Sequence, residues 1–195
     1  ARMRPPRRLR WTRGRTSFGR AANTPIINLS ETYKPLGALG YVDASTEILS
    51  QHDDFDIFVV ASGSGTTHAG LLAGLHGAGS RAAVIESCVR RATSLQSPHT
   101  RIERVLKRLG GLYAPAGQVT SDDIRVWDGV LALGYGRIGE KTLAAIRLMA
   151  SMQGLILDPV CTAKSFVTIP SLVESSEMPK GDSVCFAHTG RLAAR

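Results

Sequence analysis

Residues 56–75 read DIFVVASGSGTTHAGLLAGL, and this stretch decides the fold. Its first six residues, 56–61, form a short apolar run rich in β-branched side chains, which is typical of a buried strand in a parallel sheet. A loop of glycines and small hydroxyl residues follows, namely Ser62, Gly63, Ser64, Gly65, Thr66 and Thr67. A helix predicted over 69–75 would direct its N-terminal N–H groups at this loop, and that arrangement suits a phosphate. The stretch therefore predicts a strand, an anion-binding loop and a helix, and with them a phosphorylated ligand.

Basic residues are concentrated at the start of the chain. The 195 residues are 43% apolar and carry a net charge of +8, which suits one domain with a sizeable core. Residues 1–22 contain eight of the 24 basic residues and no acid, so the remainder has 16 basic residues against 16 acidic ones. We expect 1–22 to be a disordered basic tail, or alternatively a transit peptide, and 23–195 to be one α/β domain. This neutral body is not expected to bind nucleic acid.

The cysteine count and the hydropathy pattern indicate in which cellular compartment the protein is expected. Three cysteines without a C-x-x-C spacing predict neither a disulfide framework nor a zinc site, and we expect no metal. A reducing, cytoplasmic location is therefore expected, or an organelle if the tail is a transit peptide. The longest run without Asp, Glu, Lys or Arg, over 57–80, is interrupted by the glycine loop. We therefore predict no membrane span.

Strand-like and helix-like segments alternate along the chain. We predict strands over 26–29, 56–61, 81–86, 123–127 and 183–187, and helices over 35–51, 69–77, 98–109, 140–153 and from about 163 onward. This alternation indicates an α/β fold, with a mainly parallel open sheet and helices on both faces. Ligands of such sheets bind beyond the carboxyl ends of the strands. The polar loops 62–67 and 188–190 and the turn after Trp127 should meet there.

The glycine loop alone leaves the ligand open. Gly63 and Gly65 follow a strand and open a helix, and Glu86 lies about 20 residues on, as in a dinucleotide site. The third glycine of that fingerprint falls at His68, and the hydroxyl-rich loop is better suited to a small phosphate monoester. A glycine-rich turn without a ligand is the third possibility.

Five ordered blocks carry a family resemblance: PLGALGYVDASTEI (35–48), VVASGSGTTHAGLLAGL (59–75), GYGRIGEKTLAAIRL (134–148), GLILDPVCTAK (154–164) and CFAHTG (185–190). Together they resemble the D-cysteine desulfhydrase and 1-aminocyclopropane-1-carboxylate deaminase family. These enzymes depend on pyridoxal phosphate and have the tryptophan-synthase β-like fold. The resemblance covers roughly residues 23–190 and lacks the N-terminal part of that fold. Thr162 favours the desulfhydrase branch, because deaminases carry an acid at that position.

The resemblance implies roles for the candidate site residues. Ser62 to Thr67 would hold the phosphate of the cofactor, while Thr189 and Thr162 would lie near its pyridine nitrogen. Tyr135 matches an active-site tyrosine, and Cys161 stands at a second position where the family has a tyrosine. The implied reaction is the α,β-elimination of D-cysteine, with uptake of water, to pyruvate, sulfide and ammonia. The expected substrate is a small D-cysteine-like amino acid, and the expected assembly is a homodimer.

The resemblance also shows departures. The Schiff-base lysine of the family lies in a G-G-N-K-type motif, which this sequence lacks. Lys164 matches a family lysine with another role, and Lys34 stands where the family has a small polar residue before a proline. We therefore expect weak or no turnover by this chain. Two alternatives stay open: a catalytically inactive fragment that binds pyridoxal phosphate or a partner chain, and a dinucleotide-binding oxidoreductase.

Overall fold

A computed structural model describes residues 33–89, 97–131, 134 and 136–190. The predictions for the basic tail 1–22, for a strand over 26–29 and for Tyr135 lie outside these residues. The elements that position the loop 62–67 all lie within them.

Four strands of the described residues form one sheet in which all neighbours are parallel, in the order β3-β2-β1-β4. They are Ile57–Ser62 (β1), Ala83–Cys88 (β2), Arg125–Trp127 (β3) and Val184–Ala187 (β4). The predicted parallel sheet is confirmed. β3 begins two residues later than expected, because Ser121–Asp123 form a short 3₁₀ helix whose Thr120 N-cap bonds to the Asp123 carboxylate.

The described residues also form five α-helices: Lys34–Gln51 (α1), Thr66–Gly77 (α2), Pro98–Leu109 (α3), Glu140–Gln153 (α4) and Thr162–Glu174 (α5). A second 3₁₀ helix spans Ala114–Gln118. Phe58 and Val60 of β1 are fully buried in the core that α1, α2 and α3 form on one face. Ile57 and Val59 point to the other face, where Leu172 of α5 packs on them. Helices therefore lie on both faces, as the apolar run of β1 predicts.

Helices α1 and α2 run parallel and pack unusually closely. A Cβ atom added at Gly70 of α2 would overlap the carbonyl oxygen of Ala38, and one added at Gly74 would overlap the Ser45 hydroxyl. One turn earlier, a Cβ at Gly37 would lie 3.4 Å from Cγ2 of Thr66. The contact positions increase in residue number along both helices, so the helices point in the same direction. Their N-termini therefore lie side by side at the carboxyl edge of the sheet.

Part of the surface is apolar and unpaired. Within the described residues β4 pairs with β1 alone, so its other edge has no strand beside it. Large apolar side chains are exposed on α4 and in the segment after it, at Leu143, Leu148, Met152, Leu155 and Ile156. Among the helices that the structure describes, none is long and apolar enough to cross a membrane.

Candidate functional site

The loop after β1 turns sharply and is held by its own hydroxyl groups. Gly65 adopts a left-handed conformation with φ +79°, which side chains other than glycine rarely take. The Ser62 hydroxyl accepts the N–H of Gly65 at 2.9 Å, and the Ser64 hydroxyl accepts the N–H of Thr66 at 3.3 Å. Ser64 also donates to the Thr66 hydroxyl at 3.1 Å. These bonds shape the loop before any ligand arrives.

The geometry fits an oxyanion. Helix geometry denies intrahelical acceptors to the first four N–H groups of α2, those of residues 65–68. Ser62 and Ser64 satisfy two of them, which leaves the N–H groups of Thr67 and His68 for a ligand. A Cβ atom at Gly65 would lie 3.3 Å from the backbone nitrogen of Ile102, so α3 packs directly behind the loop. The residues present therefore form a cradle of backbone N–H and hydroxyl groups whose polarity fits a phosphate group.

A buried ion pair lies beside the loop. The Arg101 Nη2 atom of α3 is 3.6 Å from Oε1 of Glu86, with side-chain exposures of 10% and 0%. This separation is too long for a hydrogen bond, and both carboxylate oxygens lack hydrogen-bond partners among the described residues. Burial raises the pKa of Glu86 to about 7, against the lowering effects of Arg101 and of the Ser62 hydroxyl. Glu86 is therefore partly protonated near neutral pH.

The geometry does not favour a dinucleotide. Glu86 is the acid that would bind a ribose hydroxyl, and the structure encloses it between the sheet and α3. His68, in place of the third glycine, is fully buried in the first turn of α2. Burial, reinforced by the nearby His99, lowers the pKa of His68 to about 3. The ring is therefore neutral at physiological pH.

A carboxylate caps the start of α5. Oδ1 of Asp158 accepts the N–H groups of Val160 and Cys161 at 2.9 and 3.0 Å. Oδ2 accepts the N–H and the hydroxyl of Thr162 at 2.8 and 2.9 Å. Burial raises the pKa of Asp158, but these four hydrogen bonds outweigh it, and the pKa lies below its ordinary value. The cap fixes the backbone of two predicted site residues, Cys161 and Thr162.

The capped turn also determines what its side chains can do. The Thr162 hydroxyl is buried, donates to Asp158 and accepts the N–H of Asp158 at 2.8 Å. The Cys161 thiol is half-buried, and burial and the nearby Asp158 raise its pKa while Lys164 lowers it. The thiol is therefore protonated at neutral pH and is not an activated thiolate nucleophile.

Lys164 ties this turn to the neighbouring loop. Its side chain is 1% exposed, and its ammonium donates to the carbonyl oxygen of Gly134 at 2.7 Å. Gly134 directly precedes Tyr135, the predicted active-site tyrosine that lies outside the described residues. Lys164 thus joins the first turn of α5 to the loop that carries Tyr135.

The carboxyl edge of the sheet brings several predicted residues to one place. Because Ala187, the last residue of β4, pairs with Val60, Thr189 follows the carboxyl end of that strand by two residues. Thr189 is exposed there. Leu172, near the end of α5, packs on the start of β1, so Thr162 at the start of α5 lies toward the same edge as the loop. Two helix N-termini, those of α2 and α5, therefore approach this edge from opposite faces.

Sequence reasoning missed three contributors to this edge: the Asp158 cap, the pairing of Glu86 with Arg101, and the burial of Lys164. An Asp before a helix is a general sign of an N-terminal cap, although Asp158 lies three residues before the Cys161 N-cap. The ion pair gives no such signal, because its partners come from different elements. Within the described residues no cluster of His, Cys, Asp or Glu could hold a metal ion.

Comparison with known proteins identifies the fold family. Residues 14–190 match the family described as pyridoxal-phosphate dependent enzyme. The chain belongs to this family. The resemblance seen in the five sequence blocks is thereby confirmed, and pyridoxal phosphate is the cofactor of the family.

Individual members of the pyridoxal-phosphate family narrow the relationship. D-cysteine desulfhydrase of Yersinia pestis (strain Pestoides F) is 37% identical over 159 residues, which are 80% of this chain and 47% of the relative. The corresponding protein of Klebsiella pneumoniae (strain 342) is 35% identical with the same coverage. A crystal structure of an ACC deaminase homologue matches with a TM-score of 0.68 and 32% identity, over 80% of this chain and 46% of that protein. The chain spans about half the length of these relatives.

A more distant structure supports the fold alone. A pyridoxal 5'-phosphate-dependent aspartate racemase matches with a TM-score of 0.52 at 12% identity, over 78% of this chain and 48% of that protein. The predicted fold class, a parallel open sheet with helices on both faces in a pyridoxal-phosphate fold that is partial relative to its relatives, is confirmed.

Proposed function

We propose that this chain forms the phosphate-binding half of a D-cysteine desulfhydrase-like lyase. The observation that carries the proposal is the loop 62–67, whose left-handed Gly65 and internally bonded hydroxyls leave two N–H groups of α2 for a phosphate. The family supplies the cofactor, and the relatives named D-cysteine desulfhydrase supply the substrate class. D-cysteine and water would yield pyruvate, sulfide and ammonia.

The residues of this chain would divide the work at the carboxyl edge. Ser62, Gly63, Ser64, Gly65, Thr66 and Thr67 would hold the phosphate. When bound, pyridoxal phosphate withdraws electrons from the α-carbon of an amino acid. Thr189 would face the pyridine nitrogen with a neutral hydroxyl. Thr162 would lie nearby in the capped turn, where its own hydroxyl bonds to Asp158.

Two further residues stand at tyrosine positions of the family. We assign Tyr135 to proton transfer or substrate binding, because it occupies the tyrosine position of the family's G-Y-G loop. Cys161 would take the place of the second family tyrosine, and its raised pKa keeps the thiol in the protonated form there. Both assignments rest on the residue-by-residue match to the family. Lys164, in the first turn of α5, would hold that turn against the loop of Tyr135 through its hydrogen bond to the Gly134 carbonyl.

The proposed catalytic weakness has a chemical reason. The five lysines of the sequence are Lys34, Lys107, Lys141, Lys164 and Lys180, and none lies in a G-G-N-K-type motif. Proton abstraction at the α-carbon needs an amine base near the cofactor. We therefore expect this chain alone to turn over D-cysteine weakly or not at all, in the cytoplasm or, if 1–22 are a transit peptide, in an organelle.

A second candidate function is a catalytically inactive fragment that binds pyridoxal phosphate or a partner chain. The exposed apolar side chains of α4 and the unpaired edge of β4 favour it, because apolar patches and open strand edges are sites of association. A homodimer is one form of such association. The two candidates share the phosphate loop; the first allows a weak residual turnover of D-cysteine by this chain, and the second excludes it.

One experiment tests both candidates. The purified chain is titrated with pyridoxal phosphate by absorbance, reduced with borohydride and mapped by peptide analysis, and sulfide and pyruvate release from D-cysteine is measured in parallel. A saturable spectral change with little turnover is the expected result. Rapid turnover by this chain would overturn the proposed weakness, and the absence of saturable binding would overturn the phosphate-binding role itself. Pyridoxal, which lacks the phosphate, is the matched control ligand.

A further inference from the structure

The Glu86 carboxyl group lies beside the loop 62–67, on the neighbouring strand. Glu86 of β2 pairs with Val60 of β1, and Ser62 follows Val60 by two residues, so Glu86 and Ser62 project from the same face of the sheet. The Ser62 hydroxyl is close enough to Glu86 to lower the pKa of its carboxyl group. The same hydroxyl accepts the N–H of Gly65 at 2.9 Å. Ser62 therefore lies between the Glu86 carboxyl group and the backbone of the loop.

Arg101 approaches this carboxyl group from α3 without holding it by hydrogen bonds. Its Nη2 atom lies 3.6 Å from Oε1 of Glu86, and a Cβ atom at Gly65 would lie 3.4 Å from the carbonyl carbon of Arg101. Nε and Nη2 of Arg101 and both carboxylate oxygens of Glu86 have no hydrogen-bond partner in the part of the chain that the structure describes. The carboxyl group can therefore gain or lose a proton without breaking a well-formed hydrogen bond.

The charge of Glu86 is near enough to act on a phosphate at the loop. The Ser62 hydroxyl and the first turn of α2 separate the carboxyl group from the N–H groups of Thr67 and His68, a distance on the order of 8–10 Å. Buried charges at this distance are only weakly screened by water and salt. A Glu86 carboxylate would therefore repel a doubly negative phosphate, whereas a neutral carboxyl group would not.

We propose that Glu86 controls the affinity of the loop for a phosphate through its charge, with the neutral carboxyl group favouring binding and the carboxylate opposing it. This inference rests on the proposed function of the loop. Burial raises the pKa of Glu86 to about 7, so the group is neutral below that pH and ionises as the pH rises through it. The affinity should therefore be highest in mildly acidic solution and fall toward alkaline pH. By linkage, a bound phosphate favours protonation of Glu86 by the same factor.

Other titratable side chains face the same core and must be separated from Glu86. Among the described residues, those on the elements that pack around it are His68 of α2, His99, Arg101 and Glu103 of α3, Tyr113 after α3, Tyr41 of α1, Cys88 of β2 and Cys185 of β4. Burial lowers the pKa of His68 to about 3, so its ring stays neutral. Histidine ordinarily titrates near neutral pH, so His99 is the group whose titration could be mistaken for that of Glu86.

Glu86→Gln gives the test, and His99→Gln is the control. Glutamine has nearly the shape of glutamate, carries no charge at any pH and leaves every other titratable group in place. Binding of inorganic sulfate, which stays a dianion throughout the neutral range, and of pyridoxal phosphate is measured by calorimetry at a series of pH values around neutrality. For pyridoxal phosphate, the ratio of the wild-type and variant dissociation constants cancels the ionisation of the ligand itself.

We expect the affinity of the wild-type chain for sulfate to fall about three- to tenfold as the pH rises through the neutral range, and that of Glu86→Gln to stay at the higher value. His99→Gln should follow the wild type. The same pH profile in the wild type and Glu86→Gln, or a profile that disappears in His99→Gln, would refute the role of Glu86 and leave the loop assignment standing. If the wild-type chain binds pyridoxal phosphate but not sulfate, the ratio for pyridoxal phosphate decides in the same way. If it binds neither, the proposed function fails, and the role of Glu86 with it.

A second measurement uses the wild-type chain alone, so it does not depend on the folding of a variant that leaves Arg101 without its buried partner. Calorimetry of anion binding at pH 7 in two buffers with different ionisation enthalpies gives the number of protons that the chain takes up. A three- to tenfold coupling corresponds to an uptake of roughly 0.25–0.4 proton for each sulfate bound. Sulfate binding without proton uptake would refute the proposal.

Discussion

Replacing Asp158 by Asn should destabilise the chain out of proportion to the size of the change. Asn keeps the shape and one acceptor oxygen, so it can still accept the N–H groups of Val160 and Cys161. Its NH₂ group then meets the N–H of Thr162, which loses its acceptor in a buried turn. An orphaned buried donor costs about 1–3 kcal/mol, and the loss of the charged acceptor adds to it. We expect the free energy of unfolding to fall by about 2–3 kcal/mol.

Asp123 offers a matched control. It also accepts a backbone N–H and a hydroxyl, both from Thr120, and its pKa is likewise lowered by those bonds. Its turn is exposed, so water can replace the lost acceptor, and Asp123→Asn should cost about 0.5–1 kcal/mol. Urea denaturation of both variants at pH 7 measures the comparison. Equal losses for the two substitutions would refute the claim that the buried cap at α5 is the stronger one.

The pH dependence of Asp158 provides a second readout. Its folded-state pKa is lower than the unfolded value of about 3.9, so the folded state binds fewer protons. The stability from this carboxylate is fully present above that value and is lost as the pH falls through the folded pKa. The gap between the wild type and Asp158→Asn should therefore narrow below about pH 4. A gap that stays constant down to pH 2 would contradict the assignment.

Two further predictions concern the packing around the loop. Gly70→Ala should destabilise the chain by about 1–3 kcal/mol in urea denaturation, because the new methyl group overlaps the Ala38 carbonyl. The control is Gly40→Ala, where the added Cβ meets nothing within 4 Å. This substitution should stabilise α1 by about 0.5–1 kcal/mol. Two losses of the same size would argue against close α1–α2 packing. ¹³C NMR should show Glu86 titrating near pH 7, and higher still in Arg101→Met, because the guanidinium that lowers its pKa is gone. Titration near pH 4 in the wild type would contradict its burial.

The elements around the loop could be predicted because their signals are local. The apolar run of β1, the glycine loop and the following helix are contiguous in sequence, and the observed strand Ile57–Ser62 lies within one residue of the prediction. The helix Thr66–Gly77 begins three residues earlier than predicted, so Thr66 and Thr67 belong to its first turn rather than to the loop. The helix Pro98–Leu109 begins after a Ser97 N-cap whose hydroxyl accepts the N–H of Thr100, again a local contact. Gly154, with φ +65°, ends α4 where the sequence predicts it.

The electrostatics of the site could not be predicted, because they depend on which elements meet. Glu86 was a ribose-binding residue only in the dinucleotide alternative, and the structure buries it against Arg101. The hydrogen bonds of the Thr162 hydroxyl to Asp158, four residues earlier, could not be read from the sequence, and its proximity to a pyridine nitrogen stays a prediction. Lys164 gave no sign of burial in sequence, since the carbonyl that it contacts lies 30 residues away.

The most direct test of the central claim is an amide NMR titration of the ¹⁵N-labelled chain with inorganic phosphate. The account predicts saturable shifts for the N–H groups of residues 63–68 and smaller changes along the start of α1. Resonances at the opposite edge of the sheet, such as those of Asp53 and Arg81, should stay in place. Shifts confined to that opposite edge, or none at all at millimolar phosphate, would contradict the claim that the loop after β1 is a phosphate site.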